Sequence, residues 1–109
     1  GHLVGDEILE EITQVIRKAN RSADIFARYG GEEFIIMTPA TGIDGARQHA
    51  ERLRIDIEKH EFLNVGTLSC SFGVTEYKRG EDNVTSLIKR ADSALYKAKM
   101  QGKNRVEAA

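Results

Sequence analysis

The sequence predicts an α+β domain from three observations. Apolar residues recur at helical spacing in three separate stretches, two short runs of β-forming residues flank a Gly-Gly pair, and a later run alternates apolar with small or polar positions. So short a link permits only antiparallel pairing of the runs it joins, and helices segregated on a mainly antiparallel sheet are expected rather than a wound parallel sheet.

The first helix is expected over residues 6–18, where Ile8, Ile12, Val15 and Ile16 fall at i, i+4, i+7 and i+8. Asp6 suits its first turn, and Asn20, just past the stripe, suits a left-handed cap. The runs 25–28 and 34–37 follow as a hairpin turning at Gly30-Gly31. Pro39 and Gly42 punctuate the chain before a second helix over 44–59, with Ala46, Ala50, Leu53 and Ile57 on one face. Leu68, Cys70, Phe72 and Val74 then alternate with Thr67, Ser69, Ser71 and Gly73, the period of a half-buried strand. Val84, Leu87, Ile88, Ala91, Ala94, Leu95 and Ala98 form the most regular helical stripe, with Asn83 as N-cap and Gly102 at C′. A terminal strand is expected at Arg105 and Val106. This order fits a ferredoxin-like βαββαβ unit if a further strand precedes the first helix.

Length and charge narrow the function classes. The 109 residues, with 40% apolar side chains, suit one domain. Surface scaling gives roughly 6,000 Å² accessible when folded against about 17,500 Å² unfolded, enough burial for a single core. The longest apolar run, 34–37, is far too short to span a membrane, and no basic-then-apolar leader is present, so a cytoplasmic domain is expected, in a parent protein free to be membrane-attached. Sixteen Lys+Arg against 17 Asp+Glu give a net charge of -1, which supplies no basic field for DNA or RNA. Cys70 is the single cysteine and can form no internal disulfide, which suits a reducing compartment. His2, His49 and His60 have no metal-site spacing and read as structural or solvated.

The segment Arg28-Tyr29-Gly30-Gly31-Glu32-Glu33-Phe34 concentrates the chemistry. Two glycines allow a tight turn and close backbone approach to a ligand, while adjacent carboxylates gather negative charge at the same tip. Mg²⁺ typically uses one or two carboxylates together with substrate phosphates, so a nucleotide site is chemically sensible. Taken alone, the segment fits equally a solvated turn whose glutamates diverge into water.

Four further segments resolve that choice. The turn resembles the signature of the GGDEF family of diguanylate cyclases in its GGEEF form, with Arg28, Tyr29 and Phe34 also matching. Gly1-His2-Leu3-Val4-Gly5-Asp6 resembles the family's G-H-x-x-G-D segment, and Arg21-Ser22-Ala23-Asp24 its R-x-x-D motif. Ser71-Phe72-Gly73-Val74 resembles its S-x-G-V strand. The stretch from Arg90 to Lys99, with Gly102-Lys103-Asn104, resembles its A-D-x-A-L-Y-x-A-K and G-[RK]-N ending. Together these segments cover essentially the whole chain.

The resemblance implies a palm-type nucleotidyl cyclase fold that condenses two GTP into cyclic di-GMP and two pyrophosphates, each subunit of a homodimer holding one GTP. It implies Mg²⁺, with Mn²⁺ as the alternative, at Glu32 and Glu33, the latter also assisting at the attacking hydroxyl. Gly30 and Gly31 are expected to bring backbone close to the phosphates, and Lys99 and Lys103 to contact the triphosphate or pyrophosphate. Asp6 is expected to recognise guanine, whose adjacent N1–H and amino donors match a carboxylate's two acceptors. Asp6 alternatively favours the positive end of its helix, and the lysines the negative end of theirs. Arg21 and Asp24, joined by Arg52, are expected to form an inhibitory site for the cyclic product. An upstream sensory or receiver domain is the expected regulator.

One segment of the family's pattern has no counterpart here. Relatives carry, before the G-H-x-x-G-D segment, a strand with a first metal-binding Asp, a phosphate-contacting Lys and a guanine-contacting Asn. The 109 residues are therefore expected to be inactive alone, and to cover the open sheet edges by dimerisation or exchange of elements. The alternative function is a catalytically inactive cyclic di-GMP receptor that uses Arg21 and Asp24.

Overall fold

The computed structural model describes residues 2–30 and 32–109, with side chains from residue 5 onward. Its elements run α1 (His2–Ala19), β1 (Ile25–Gly30), β2 (Glu33–Met37), α2 (Ile43–Lys59), β3 (Phe72–Val74), α3 (Val84–Met100) and β4 (Val106–Ala108). The expected order holds, but α1 begins a turn earlier than its apolar stripe. Asp6 consequently sits in the second turn, where the field of the helix N-terminus has largely decayed. Asn20 is not among the left-handed residues, which besides glycines are Ala40, Asn64, Lys103 and Asn104. The α1 ladder instead runs on, Asn20 N donating to Ile16 O, and the Asn20 side chain turns to His49.

The core forms where the stripes of α1 and α2 meet. Ile12 and Ile16 pack on Leu53, Ile57 and Phe62, and the last three are 2% exposed or less. Each such side chain stabilises the fold by about 1.5–3 kcal/mol relative to exposure. Phe26, Phe34 and Ile36 from the hairpin, and Leu68, Cys70 and Phe72 from the later chain, close around this cluster. Burial pushes the Cys70 thiol pKa up, in keeping with a packing role.

The expected single, mainly antiparallel sheet is instead two pairs. β1 and β2 form the antiparallel hairpin, with a register shift at Tyr29, and β3 pairs in parallel with β4. The alternation over 67–74 persists as alternating burial, yet only Phe72–Val74 gains a ladder, because β4 offers just three residues to pair with. Among the described residues the second edges of β2 and β3 have no partner strand. The accessible surface of 7416 Å² exceeds the roughly 6,000 Å² expected for this mass, so an unusual share of the molecule is uncovered. No helix is long and apolar enough to cross a membrane among the described residues.

Close packing of α3 on β3 explains Gly73. A Cβ there would lie 2.2 Å from Ala91 O and 2.4 Å from Leu95 N, both backbone atoms that cannot step aside. Asn83 opens α3 with a capping box closed by Ser86. Lys103 N donates to Ala98 O behind Gly102 (φ 122°), the 6→1 bond of a Schellman ending. Val84, counted in the apolar stripe, is 72% exposed, as the first residue of α3 with no preceding turn to cover it.

A polar clasp fixes the connection from β3 to α3. Arg90 reaches both Asp82 oxygens at 2.7 Å and also donates to Thr75 Oγ1 and Glu76 O. Asp82 further accepts from Lys78 N and Ser86 Oγ. The Arg90 hydrogen bonds, then that from Lys78 N, hold the Asp82 carboxyl well below the usual carboxylate range. Glu76 from the same connection accepts the N–H of Ile43 at 2.6 Å, capping α2, whose Gly42 offers no side chain for that purpose.

Two predictions follow from this packing. Gly73→Ala should destabilise the domain by about 1–3 kcal/mol or more through overpacking, measured by denaturant unfolding of the purified protein. For Asp82 the folded pKa is depressed, so its stabilisation is complete above the unfolded value near 3.8 and disappears as pH falls below it. The melting-temperature gap between wild type and Asp82→Asn should therefore be constant above about pH 5 and narrow as the solution is acidified further.

Candidate functional site

A groove of about 480 Å³ runs between α1 and the hairpin. One wall is a single polar stripe of α1, Asp6, Glu10, Thr13 and Arg17, at successive helical turns. Phe26 and Phe34, stacked with centroids 5.1 Å apart, face it together with Arg28. The groove is acidic toward the start of α1 and basic toward Arg17, with aromatic surface between. That pattern suits a planar base with donor groups at one end and an anionic substituent at the other.

The hairpin tip adjoins Arg28. Gly30 ends β1, and a Cβ there would meet no protein atom within 4 Å, so the space beside it is open. Gly31 lies outside the described residues. Glu32 is exposed and Glu33, which opens β2, is half-buried. Among the described residues no ion pair holds either carboxylate. Nor does any cluster of three or more His, Cys, Asp or Glu side chains stand ready to hold an ion unaided. Two adjacent carboxylates without thiol or imidazole fit a hard divalent cation that fills its coordination with phosphate oxygens and water.

Lys99 and Lys103 lie at the far end of α3, both exposed. α3 packs on β3 and β4, so these cations belong to the other strand pair from the glutamates. Lys103 occupies a left-handed backbone conformation, φ 62°, followed by Asn104 at 47°. Such strain in non-glycine residues persists only where surroundings enforce it. Here Asn104 enforces it: its N–H donates to Ser71 Oγ, its amide oxygen accepts from Arg54, and its amide nitrogen donates to Glu58. Arg54 is itself fixed by Glu51.

Arg21 and Asp24 meet in the α1–β1 connection. Asp24 Oδ2 accepts Arg21 N at 2.8 Å, Oδ1 accepts the guanidinium at 3.0 Å, and Arg21 Nη2 also donates to Thr41 Oγ1. Burial pushes the Asp24 pKa up, but the hydrogen bonds and charge of Arg21, aided by His49, outweigh it and hold the carboxyl below its ordinary value. Arg52, on α2, lines a groove of about 520 Å³ with Arg47, Glu51, Ile55 and Val106.

The sequence reading did not single out Glu10, Thr13 and Arg17 as groove residues, although their spacing along the polar face of α1 was there to be seen. His49 and His60, expected to be structural or solvated, make structural contacts: His49 bonds Asn20, and His60 bonds Glu11 at 2.9 Å, while Glu11 also accepts Leu63 N.

The family described as diguanylate cyclase, GGDEF domain, matches residues 1–105. Diguanylate cyclase A of Treponema denticola is 41% identical over 97% of the chain, and diguanylate cyclase DgcP of Pseudomonas aeruginosa 43% over 100%. The chain spans only 29% and 16% of their respective lengths. Among solved structures, the active GGEEF domain of a diguanylate cyclase from Vibrio cholerae superposes with a TM-score of 0.91 at 32% identity, covering 99% of this chain and 70% of that one. The coiled coil and GGDEF domain of DgcB from Caulobacter crescentus, in complex with c-di-GMP, gives 0.90 at 30% identity, covering 100% and 60%. The α+β fold, the hairpin signature and these matches agree, and the chain belongs to the GGDEF family of diguanylate cyclases.

Proposed function

We propose that the protein containing this chain is a diguanylate cyclase that joins two GTP into cyclic di-GMP with release of two pyrophosphates, acting as a homodimer. The observation that carries this is the groove between α1 and the hairpin, lined by Asp6, by the stacked Phe26 and Phe34 and by Arg28, on the strand that leads to the glycine tip and its two glutamates. Asp6, exposed on α1, presents two acceptors to the N1–H and amino groups of guanine, donors that adenine does not pair in this way. Phe26 and Phe34 offer apolar surface nearby, and Gly30 leaves room for a phosphate. Glu32 and Glu33 would hold Mg²⁺ or Mn²⁺, which when bound neutralises phosphate charge and lowers the pKa of the attacking hydroxyl. In each of the two steps a 3′-oxygen bonds to the α-phosphorus of the opposite nucleotide, the bond to the β-phosphate oxygen breaks, and Glu33 accepts the hydroxyl proton. Lys99 and Lys103 draw off the charge of departing pyrophosphate. Positioning two nucleotides in line supplies much of the rate.

We infer also that a segment outside these residues completes the site. The unpartnered edges of β2 and β3 and the surplus accessible surface support it, as does the longer chain of the Vibrio cholerae GGEEF domain. Such a strand would join the two pairs into one sheet and add a carboxylate beside Glu32 and Glu33. The Arg21–Asp24 turn, preformed and facing solvent through Arg21, is the proposed inhibitory site for cyclic di-GMP.

Product chromatography after incubation with GTP and Mg²⁺ is the test. An N-terminally extended chain should form cyclic di-GMP, while residues 1–109 alone should form little or none. In the extended protein Glu33→Gln should lower kcat by about 100-fold or more. Asp6→Asn should raise KM for GTP by about 10-fold or more and relax the preference over ATP. No product from the extended chain, with cyclic di-GMP still bound, would favour a receptor built on Arg21 and Asp24.

A further inference from the structure

His49, on α2, lies against the Arg21–Asp24 turn. Its Nε2 stands 2.8 Å from Asn20 Oδ1 and 3.8 Å from Asp24 Oδ2, and its side chain is 17% exposed. The Asn20 oxygen keeps a proton on Nε2, so a second proton enters at Nδ1 and adds charge without turning the ring. The two Asp24 oxygens are not equivalent. Oδ1 receives the Arg21 guanidinium at 3.0 and 3.3 Å, whereas Oδ2 receives Arg21 N at 2.8 Å, takes only a long 3.5 Å contact from the guanidinium, and faces His49.

With Thr41 Oγ1 on its other side, the Arg21 guanidinium is engaged within the protein. A phosphate ligand needs that guanidinium, and a guanine needs a free carboxylate oxygen. Moving Arg21 onto a ligand would leave the Asp24 side chain, 0% exposed in the turn as it stands, without its cation, which is costly unless another charge takes its place.

We propose that His49 is the positioning residue of this site: in its protonated form it holds Asp24 through Oδ2, releases Arg21 to the phosphates of cyclic di-GMP and leaves Oδ1 for the base. This rests on the reading of the Arg21–Asp24 turn as a cyclic di-GMP site. The charged group facing the ring is Asp24, with Arg21 from the α1–β1 connection bound to the same carboxylate; the neighbour from the end of α1 is the neutral Asn20. Asp24 attracts a charge on the ring and Arg21 offsets that attraction, so departure of Arg21 to the ligand tips the balance toward Asp24. Ligand binding therefore takes up a proton, and it tightens as pH falls.

Calorimetric titration of the full-length protein with cyclic di-GMP, in buffers of different ionisation enthalpy from about pH 6 to 8.5, tests this. Affinity is expected to be about tenfold tighter at the acid end, with measurable proton uptake on binding within that range. His49→Gln, which keeps an amide to bond Asn20, should bind at the alkaline level with a flat profile and no linked proton. If that variant loses its fold, proton uptake by the unaltered protein decides. Wild-type binding independent of pH, or an unchanged profile in His49→Gln, overturns the role of His49 and leaves the site standing. Absence of binding, or binding undiminished in Arg21→Ala, overturns the site reading and the proposal with it.

Discussion

The packing of Ile12 and Ile16 against Leu53, Ile57 and Phe62 is the contact on which everything else rests. The hairpin and the β3–β4 pair share no strand ladder, so backbone hydrogen bonds do not register one against the other. Both instead lay apolar side chains on the same cluster, Phe26, Phe34 and Ile36 from one and Phe72 from the other. Hydrophobic packing is non-directional, and it fixes relative position less sharply than a ladder does. The distance from the glutamate tip to the lysines of α3 is therefore governed by side-chain packing in this chain, and a strand bridging the two pairs would convert that into backbone registry.

The residues that identify the family divide by what they touch. Gly73 lets β3 approach the α3 backbone, Ser71 and Asn104 tie the end of α3 to β3 and α2, and Arg90 gathers the connection that caps α2. These serve architecture, and their substitution should act through stability. Asp6 and Glu32 are exposed, Asp6 lines the groove, and Gly30 has open space beside it, so substitution at these proposed ligand positions should act less through stability. Lys103 belongs to both groups: its backbone is held in a left-handed conformation by its neighbours while its side chain remains exposed.

The legible parts of the fold were those written in periodicity. Stripes on three helices and the hairpin punctuated by Gly30-Gly31 fixed element type and order, because burying one face repeats on a short period. Phe62 escaped, since it enters the core from the loop 60–66, where Phe62 N bonds Gly66 O and no period exists to mark it. The parallel pairing of β3 with β4 escaped for a related reason, as three-residue strands carry almost no pattern. At the groove, the hairpin turn was legible in its Gly-Gly pair, whereas the stripe of Asp6, Glu10, Thr13 and Arg17 became a groove wall only when the hairpin was folded against it.

The contacts of His49 are ones that only the folded structure shows. Its partners Asn20 and Asp24 lie 29 and 25 positions away, on the far side of the hairpin, and no local pattern connects them. The fold brings them together because α1 and α2 must cross to bury their stripes, and the end of α1 then delivers the Arg21–Asp24 turn onto the flank of α2. The same core contact that seats the hairpin thus seats the turn, and the electrostatics of Asp24 follow from where the helices pack.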